Sequence, residues 1–393
     1  MSRDNAIKRA PRWGISALWV GVALLLLIWI TRIVDIARFP FFLDEGLHVY
    51  FSEVTLQQHP FVYANRYYVL SLWWWSLLGV PWEAPLWLAR VVTVLAVLPG
   101  VAALIAIGRQ TGGAWGALLG GLLYLFSTYH FFFDRLAMAD PISASAALVA
   151  VAAGYRLARR VHRTDAMLMG VAAFLAAGAK LSALPFLGIP VAAALALYPP
   201  GRASLRQRAR WLAVALATEG ILFGGFVIML IVARRNPFAN AANHVGLSDG
   251  GIGDVLARIP RSAGTMLENL QGFVGTVGLL VLALALVALL VRRRFYLLLC
   301  LIAPTVVFLL SDMQGSRYYA APMGVLLACL AVAAADLTRH QGQVTKAIVL
   351  AVVAVWALLA WLPFARQMNS ASSAIGLPER DHREYVASDA SGF

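Results

Sequence analysis

Charged side chains are scarce in this sequence of 393 residues: Asp, Glu, Lys and Arg together make up 13% of it, whereas 61% is hydrophobic. A water-soluble domain usually carries about 25% charged residues, because its surface has to interact with water. The mean hydropathy of +0.76 agrees with this shortage. These values exclude an ordinary soluble protein and indicate that lipid surrounds most of the chain.

Cysteine is rare, and long hydrophilic stretches are missing. The two cysteines, Cys300 and Cys329, lie inside apolar runs, so the sequence implies no disulfide framework. The longest hydrophilic loop covers about 234–270, which leaves no room for a sizeable soluble domain. We find no internal repeat of the kind that marks many transporters.

The formal net charge of +13 does not form one basic patch, because the basic residues fall in clusters between apolar runs. Clusters of this kind are typical of loops that face the anionic cytoplasmic leaflet of a membrane. Membrane lipids are therefore expected partners, and nucleic acid is not. The clusters lie at residues 3–12, 156–163, 202–210, 292–294 and 339–346.

Eleven apolar runs predict transmembrane helices, and hence an all-α membrane protein. Two shorter runs, 166–178 and 183–198, flank Lys180. No cleavage site is evident before the first run, so we expect a retained first span. The runs of spanning length lie near residues 13–33, 86–108, 112–131, 141–158, 211–233, 273–291, 295–310, 318–336 and 346–362.

A further run, "YYVLSLWWWSLLGV" at 67–80, is shorter than the roughly 20 residues that a spanning helix needs. If it crossed the membrane, the basic clusters after it would face outward, against the positive-inside rule. If it does not cross, all of them face the cytoplasm. Its three consecutive tryptophans, residues 73–75, also favour the membrane interface. We therefore place this run in the interface.

This placement defines the predicted organisation. A transmembrane domain of about eleven helices covers residues 1–362, with interfacial helices in its first outer loop, residues 34–85. A short extracytoplasmic tail follows at 363–393. The expected location is the plasma (inner) membrane, with many spans, a cytoplasmic N-terminus and an extracytoplasmic C-terminus.

Unusual charged residues gather in the predicted outer loops: Asp44 beside Glu45, then Asp140, Lys180 and Arg317. Charges at such depth are expensive and usually mark a site. Simpler explanations remain open for each. Asp44 and Asp140 are also typical helix N-caps, and Arg317, next to two tyrosines, could anchor at the interface. Lys180, one of three lysines in the chain, could extend toward the headgroups.

Three further polar residues in the outer loops carry weaker signals. His130, Asp134 and His244 are each explained by a structural hydrogen bond. Of the three, His244 is kept as a candidate substrate-binding residue.

The order of these features resembles the polytopic GT-C glycosyltransferases, in particular the protein O-mannosyltransferase and aminoarabinose transferase-like group. The features are the Asp44–Glu45 pair, the Trp-rich segment followed by "EAPLWLARV", then Arg135 with Asp140, and Lys180 in a short hairpin. An Arg-Tyr pair, Arg317–Tyr318, opens a late span. The resemblance covers most of residues 14–340. It implies the GT-C fold, with helices of the first outer loop lying along the membrane.

The resemblance also implies a function and residue roles. The donor would be a sugar on a polyprenyl phosphate, and Asp44 would be the catalytic base, with Glu45 supporting it and Asp140 as the second acidic residue. Lys180 and Arg317 would contact the donor phosphate. The remaining candidate substrate-binding residues are Arg135, Tyr318 and His244.

The chemistry explains why these residue types are needed. Phosphate is a good leaving group, so no general acid is required, unlike in glycoside hydrolysis. One carboxylate suffices as base, and two cations stabilise the departing phosphate. Direct displacement at the anomeric carbon implies inversion.

The sequence leaves alternatives open for the cofactor, for the acceptor and for the class of function. A divalent cation could bind Asp44 and Asp140, but no third ligand is evident, so we expect no cofactor. The acceptor could be a lipid, a glycan or a protein hydroxyl. A transporter or flippase of a lipid-linked or anionic substrate is the alternative function, and a non-catalytic subunit is a third. Charges on one face of the membrane and the lack of repeats favour an enzyme.

Overall fold

The computed structural model of the protein describes residues 15–63, 69–78, 86–160, 162–196, 205–236, 252–310 and 315–387. Within these ranges every regular element is a helix and no strand occurs, which confirms the all-α prediction. The helices are α1 Ile15–Ile33, α2 Leu43–Gln57, α3 Val69–Leu77, α4 Leu86–Leu125, α5 Thr128–Phe133, α6 Ala139–Arg160, α7 Arg163–Ala179, α8 Ile189–Ala196, α9 Leu205–Val232, α10 Ile252–Val291, α11 Phe295–Leu310, α12 Ala320–Thr338, α13 Gln343–Trp356, α14 Leu362–Asn369 and α15 Glu379–His382.

Shorter helical turns join some of these helices. A 3₁₀ segment, Leu181–Gly188, leads into α8, and another, Ser316–Tyr319, leads into α12. A π turn at Ala357–Trp361 continues α13 into α14, and a second one, Arg383–Ala387, follows α15. The helix that begins at Gln343 therefore runs past residue 362, where we expect the tail to begin.

Five helices in the described ranges are long and apolar enough to cross a membrane. Shorter apolar helices accompany them at Leu18–Ile33, Leu181–Ala193 and Phe295–Leu310. The count of eleven spans stays a prediction. The five long helices are Leu86–Leu125, Ala209–Val232, Leu256–Val291, Ser316–Thr338 and Gln343–Asn369.

Helix α4 folds back on itself, so it contains the predicted run 86–108 and most of the run 112–131, whose last residues lie in α5 and the turn before it. Gly113 interrupts it with a φ of 64°, a left-handed conformation that glycine adopts without strain. The backbones of Gly108 and Gly116 then touch so closely that neither position has room for a Cβ atom. Eight residues apart in a straight helix, these two backbones would be about 12 Å from each other.

A second interruption divides α10. Gly275 has a φ of 68°. The part before it contains Arg258, Arg261 and Glu268, whereas 276–291 is wholly uncharged. The second part corresponds to the predicted run 273–291.

Alanine is frequent among the buried residues of the bundle, together with larger side chains such as Phe131 and Tyr296, and many other large apolar side chains lie on the outside. In the most apolar part of Ser316–Thr338, 78% of the residues are buried, compared with 11% in Gln343–Asn369. Helices that pack in lipid use small residues to bring backbones together. The outer surface is correspondingly apolar, with Ile348, Val352 and Leu359 exposed on α13 and the turn after it.

The Trp-rich segment forms helix α3, whose nine residues rise about 14 Å. This is less than half of the roughly 30 Å hydrocarbon thickness, so α3 is too short to cross a bilayer. Each of its tryptophans donates an indole hydrogen bond: Trp73 to the Pro60 carbonyl, Trp74 to the Val92 carbonyl and Trp75 to the Thr93 hydroxyl. Its position in the interface remains a prediction.

Candidate active site

Asp44 and Glu45 lie in the first turn of α2, where negative charge interacts favourably with the helix dipole. The helix begins at Leu43, so Asp44 is inside it and is not its N-cap. Adjacent side chains on a helix point about 100° apart. The two carboxylates therefore have different surroundings: Glu45 is fully buried, whereas 32% of the Asp44 side chain is exposed.

Glu45 is held by a closed set of hydrogen bonds. Arg90 donates to both of its oxygens, from Nε at 2.8 Å and from Nη2 at 2.7 Å. The amides of Ala137 and Phe42 donate to the same carboxylate, at 2.7 and 3.3 Å. Arg90 uses its remaining N–H groups on the backbone carbonyls of residues 36–40. Glu45 and Arg90 thus join α2, α4 and two loops.

Asp44 has a different partner, Arg317, from the 3₁₀ segment before α12. The two side chains form an ion pair across 273 positions of the chain. The same guanidinium donates to the Tyr318 hydroxyl at 3.1 Å, and its Nη2 lies 3.6 Å from the Glu384 carboxylate. Arginine is always charged in proteins, so this cation holds two carboxylates near it.

A second ion pair also lies next to Tyr318. Lys180 Nζ is 2.7 Å from the Asp140 carboxylate, and the two side chains are 13% and 2% exposed. Lys180 Nζ also lies 4.8 Å from the centroid of the Tyr318 ring, and the Arg317 guanidinium carbon lies 5.0 Å from it. The aromatic ring attracts both cations and brings the two ion pairs together. We call Asp44, Asp140, Lys180, Arg317 and Tyr318 the charge cluster.

Two polar atoms of the charge cluster are buried but unused. Asp140 Oδ1 and Arg317 Nε are both shielded from solvent, and neither has a hydrogen-bond partner among the described residues. Buried polar atoms nearly always have a partner, so such orphans indicate a place where a ligand or an ordered water binds. One is an acceptor and the other is a donor.

Two predicted site residues in the described ranges are not part of this cluster: Glu45, whose hydrogen bonds are given above, and Arg135. Arg135 donates to the Val34 carbonyl at 2.8 Å and to the Asn369 side chain, so it joins the end of α1 to α14. His244 lies outside the described residues.

Sequence reasoning missed other residues beside the cluster. Arg90 carried a usable signal, because an arginine inside an apolar run needs a buried partner. His48 lies one helical turn after Asp44 and its Nδ1 is 2.8 Å from the Ala137 carbonyl. Burial lowers the pKa of His48 to about 4, so its ring is neutral at pH 7. Glu384 and Tyr385 come from a polar C-terminal stretch that has no periodic pattern.

The two weaker loop residues have the hydrogen-bonded surroundings that we expect. His130 Nδ1 lies 2.9 Å from the Ser127 hydroxyl. Asp134 accepts from the Tyr124 hydroxyl at 3.3 Å and lies 3.6 Å from Arg32 Nε. Burial raises the pKa of Asp134 to about 7.

Comparison with known proteins identifies the fold. No family model matches the chain, and no curated protein matches it. Among solved structures it is similar to ArnT from Cupriavidus metallidurans bound to undecaprenyl phosphate, with a TM-score of 0.63 and 19% identity. It is also similar to AglB, the oligosaccharyltransferase of Archaeoglobus fulgidus, in complex with an inhibitory peptide and a dolichol-phosphate, with a TM-score of 0.55 and 15% identity.

These similarities extend over nearly the whole chain but over only part of the neighbours. The ArnT match covers 90% of this chain and 69% of ArnT, and the AglB match covers 93% and 57%. ArnT and AglB are both GT-C membrane glycosyltransferases. At this level of identity the likeness establishes the fold, which is the GT-C fold that the sequence resemblance implies.

One AglB structure was solved with zinc and sulfate, so we tested whether this chain offers a metal site. No group of three or more His, Cys, Asp or Glu side chains suited to a metal occurs in the part of the chain that the structure describes. Asp44 and Asp140 are each paired with a different cation. We assign no step to a divalent ion.

Proposed function

We propose that the protein is an inverting glycosyltransferase that moves a sugar from a polyprenyl-phosphate donor to an acceptor hydroxyl on the extracytoplasmic side of the membrane. One observation carries this proposal: the charge cluster unites two carboxylates and two cations from four distant parts of the chain. The GT-C fold and the lipid phosphates bound by ArnT and AglB support it.

The cluster contains the groups that this reaction needs. Asp44 takes the proton of the acceptor hydroxyl while the acceptor oxygen forms its bond to the anomeric carbon. The bond from that carbon to the phosphate oxygen breaks, and the electron pair leaves with the phosphate. Lys180 and Arg317 stabilise this negative charge in a site shielded from bulk water. Attack from the face opposite the phosphate inverts the anomeric configuration.

Asp44 and Arg317 must separate, at least partly, during this reaction. While it is paired with the Arg317 guanidinium, the Asp44 carboxylate is not free to accept the proton of an acceptor hydroxyl. When the donor phosphate binds Arg317, it competes with Asp44 for the same N–H groups. Donor binding therefore frees the Asp44 carboxylate from the ion pair at the moment when a base is required.

The lipid tail of the donor needs an apolar surface near the phosphate. A groove of about 430 Å³ lies between the Gly275 bend of α10 and the helix that runs through Trp356 and Phe364. Phe273 in its wall packs against Tyr129, and the Tyr129 hydroxyl donates to the carbonyl of Ser316, next to Arg317. We assign the tail to this groove.

The decisive experiment combines a deletion strain with a variant of the proposed base. We expect the strain to lack one sugar in its lipid-linked oligosaccharide and glycan profile, and that sugar identifies the donor and the acceptor together. Asp44→Asn should fail to restore it while inserting normally in the membrane. Asp35→Asn is the matched control, because Asp35 makes the same kind of ion pair, with Arg38, on the exposed part of the same loop. Full restoration by Asp44→Asn would show that the base is elsewhere.

A further inference from the structure

The C-terminal segment 370–387 is packed into the transmembrane domain rather than lying free. Ile375 and Tyr385 are each 2% exposed and belong to the main hydrophobic core. Pro378 lies directly against Gly272 of α10. Asp381 accepts a hydrogen bond from the hydroxyl of Ser316, the residue before Arg317. The segment thus forms a wall beside the charge cluster.

Tyr385 is the part of this wall that lies closest to the proposed chemistry. Its ring packs against three phenylalanines, at centroid distances of 4.4 Å from Phe42, 5.3 Å from Phe132 and 5.8 Å from Phe133. Phe42 also touches the cluster, because the Arg317 guanidinium carbon is 5.7 Å from its ring centroid. Glu384, the preceding residue, is 3.6 Å from Arg317. The Tyr385 ring and the Arg317 guanidinium therefore both lie near the ring of Phe42.

The Tyr385 hydroxyl is buried and has no hydrogen-bond partner among the described residues. Burial raises its pKa well above the usual value, so the hydroxyl keeps its proton at neutral pH and can donate it. Arg317 Nε is a second buried donor without a partner. Two unused donors around one phenylalanine, one of them on a cation, define a place for an anionic oxygen.

We propose that Tyr385 is a further substrate-binding residue, whose hydroxyl donates a hydrogen bond to the anionic group that binds Arg317. This inference rests on the proposed function, which identifies the anion as the phosphate of the lipid-linked donor. It assigns part of the binding site to the C-terminal segment, and it gives a role to a buried hydroxyl that has no hydrogen-bond partner among the described residues.

Tyr385→Phe tests this role, because it keeps the ring and removes only the hydroxyl. In the full-length protein we expect its affinity for undecaprenyl phosphate to fall at least about tenfold, as for one hydrogen bond to a charged group. Affinity for undecaprenol, which lacks the phosphate, should not change. The unfolding temperature without ligand should stay equal or rise, because an unpartnered buried hydroxyl destabilises the folded state. A hydroxyl with a purely structural role would instead lower that temperature when it is removed.

The control is Tyr155→Phe, the same change at a buried tyrosine whose hydroxyl pairs with Thr111; its lipid affinity should match the wild type. Equal affinity of Tyr385→Phe and the wild type for undecaprenyl phosphate overturns the inference and leaves the proposed function intact. If Lys180→Ala and Arg317→Ala bind undecaprenyl phosphate as tightly as the wild type does, the proposed function itself fails.

Discussion

At the scale of single residues, the site depends on two neighbouring carboxylates with opposite surroundings. Glu45 is fully buried, and its carboxylate accepts hydrogen bonds from Arg90 and from two backbone amides. Asp44 is partly exposed and faces Arg317. A base must reach its substrate, so exposure suits Asp44 to chemistry. The closed hydrogen bonds of Glu45 suit it to positioning the helix that carries Asp44.

Removing the charge of Glu45 should therefore destabilise the fold. Glu45→Gln leaves the Arg90 guanidinium buried with no counter-charge, and breaking a buried pair in this way lowers the free energy of unfolding by about 3–5 kcal/mol. Unfolding of the purified protein in detergent measures this loss. The double variant Glu45→Gln/Arg90→Met, which removes both charges, should recover part of it. Wild-type stability of Glu45→Gln alone would contradict this role.

The raised pKa of Asp381 predicts how the stability of the protein changes with pH. Burial raises the pKa of its carboxyl from 3.8 to about 6, so between these values the folded state binds the proton more tightly than the unfolded state does. Stability should then fall as the pH rises through this window, by up to about 3 kcal/mol at about 1.4 kcal/mol per unit. Asp381→Asn, which still accepts from Ser316, should remove that part of the pH dependence. Unfolding temperatures between pH 4 and pH 8 give the comparison, and identical pH profiles would disprove this assignment.

At the scale of helices, glycine determines where the chain reverses. The hairpin of α4 needs the positive φ of Gly113 for its turn, and it needs Gly108 opposite Gly116 for the contact between its arms. The first arm carries Arg90, which holds Glu45. The hairpin therefore also determines where Glu45 lies along α4. Close backbone contacts of this type stabilise helix pairs in lipid.

A methyl group at this contact should separate the arms. Gly108→Ala places a Cβ against the backbone of Gly116. The two arms of the hairpin would have to move apart to accommodate it, and this movement loses packing contacts. We expect lower thermal stability and less folded protein in the membrane. Gly224→Ala in α9 is the control, because open space surrounds that position and alanine favours helices by about 1 kcal/mol over glycine. If both variants behave alike, the contact at Gly108 is unimportant.

At the scale of the whole molecule, two helices show the same polarity. Helix α6 has Asp140 in its first turn and Arg156 near its other end, and α12 follows Arg317 and is capped by Arg339. The 19 residues of α12 span about 28 Å, which is close to the thickness of the hydrocarbon core. The charge cluster and the predicted cytoplasmic clusters therefore lie at opposite ends of both helices.

This polarity predicts on which side of the membrane positions 44, 317 and 339 lie. Cysteines introduced at positions 44 and 317 should react with an impermeant thiol reagent from the extracytoplasmic side, and a cysteine at position 339 should react only after the membrane is opened. Both native cysteines are buried, which keeps the background low. Labelling of positions 44 and 317 from opposite sides would disprove both the topology and the site.

Much of the fold could be predicted from the sequence, and the limits of predicting the site have physical reasons. Asp44, Asp140, Lys180 and Arg317 stand out because charges in an apolar chain need an explanation. Arg135 stands out for the same reason, yet it serves a structural contact with Asn369. A charge within a membrane protein needs a partner whether or not it takes part in chemistry. Sequence alone does not separate these two cases.

The sequence by itself determined that the chain lies in lipid and is helical, because a backbone without water must satisfy its hydrogen bonds within each segment. Only the tertiary structure decided which acid meets which base. The pairs join residues 40, 45 and 273 positions apart, and such distant side chains meet only through the bends and packing of whole helices. The same packing brought Tyr385 and Arg317 to the ring of one residue, Phe42, an arrangement that no local pattern predicts.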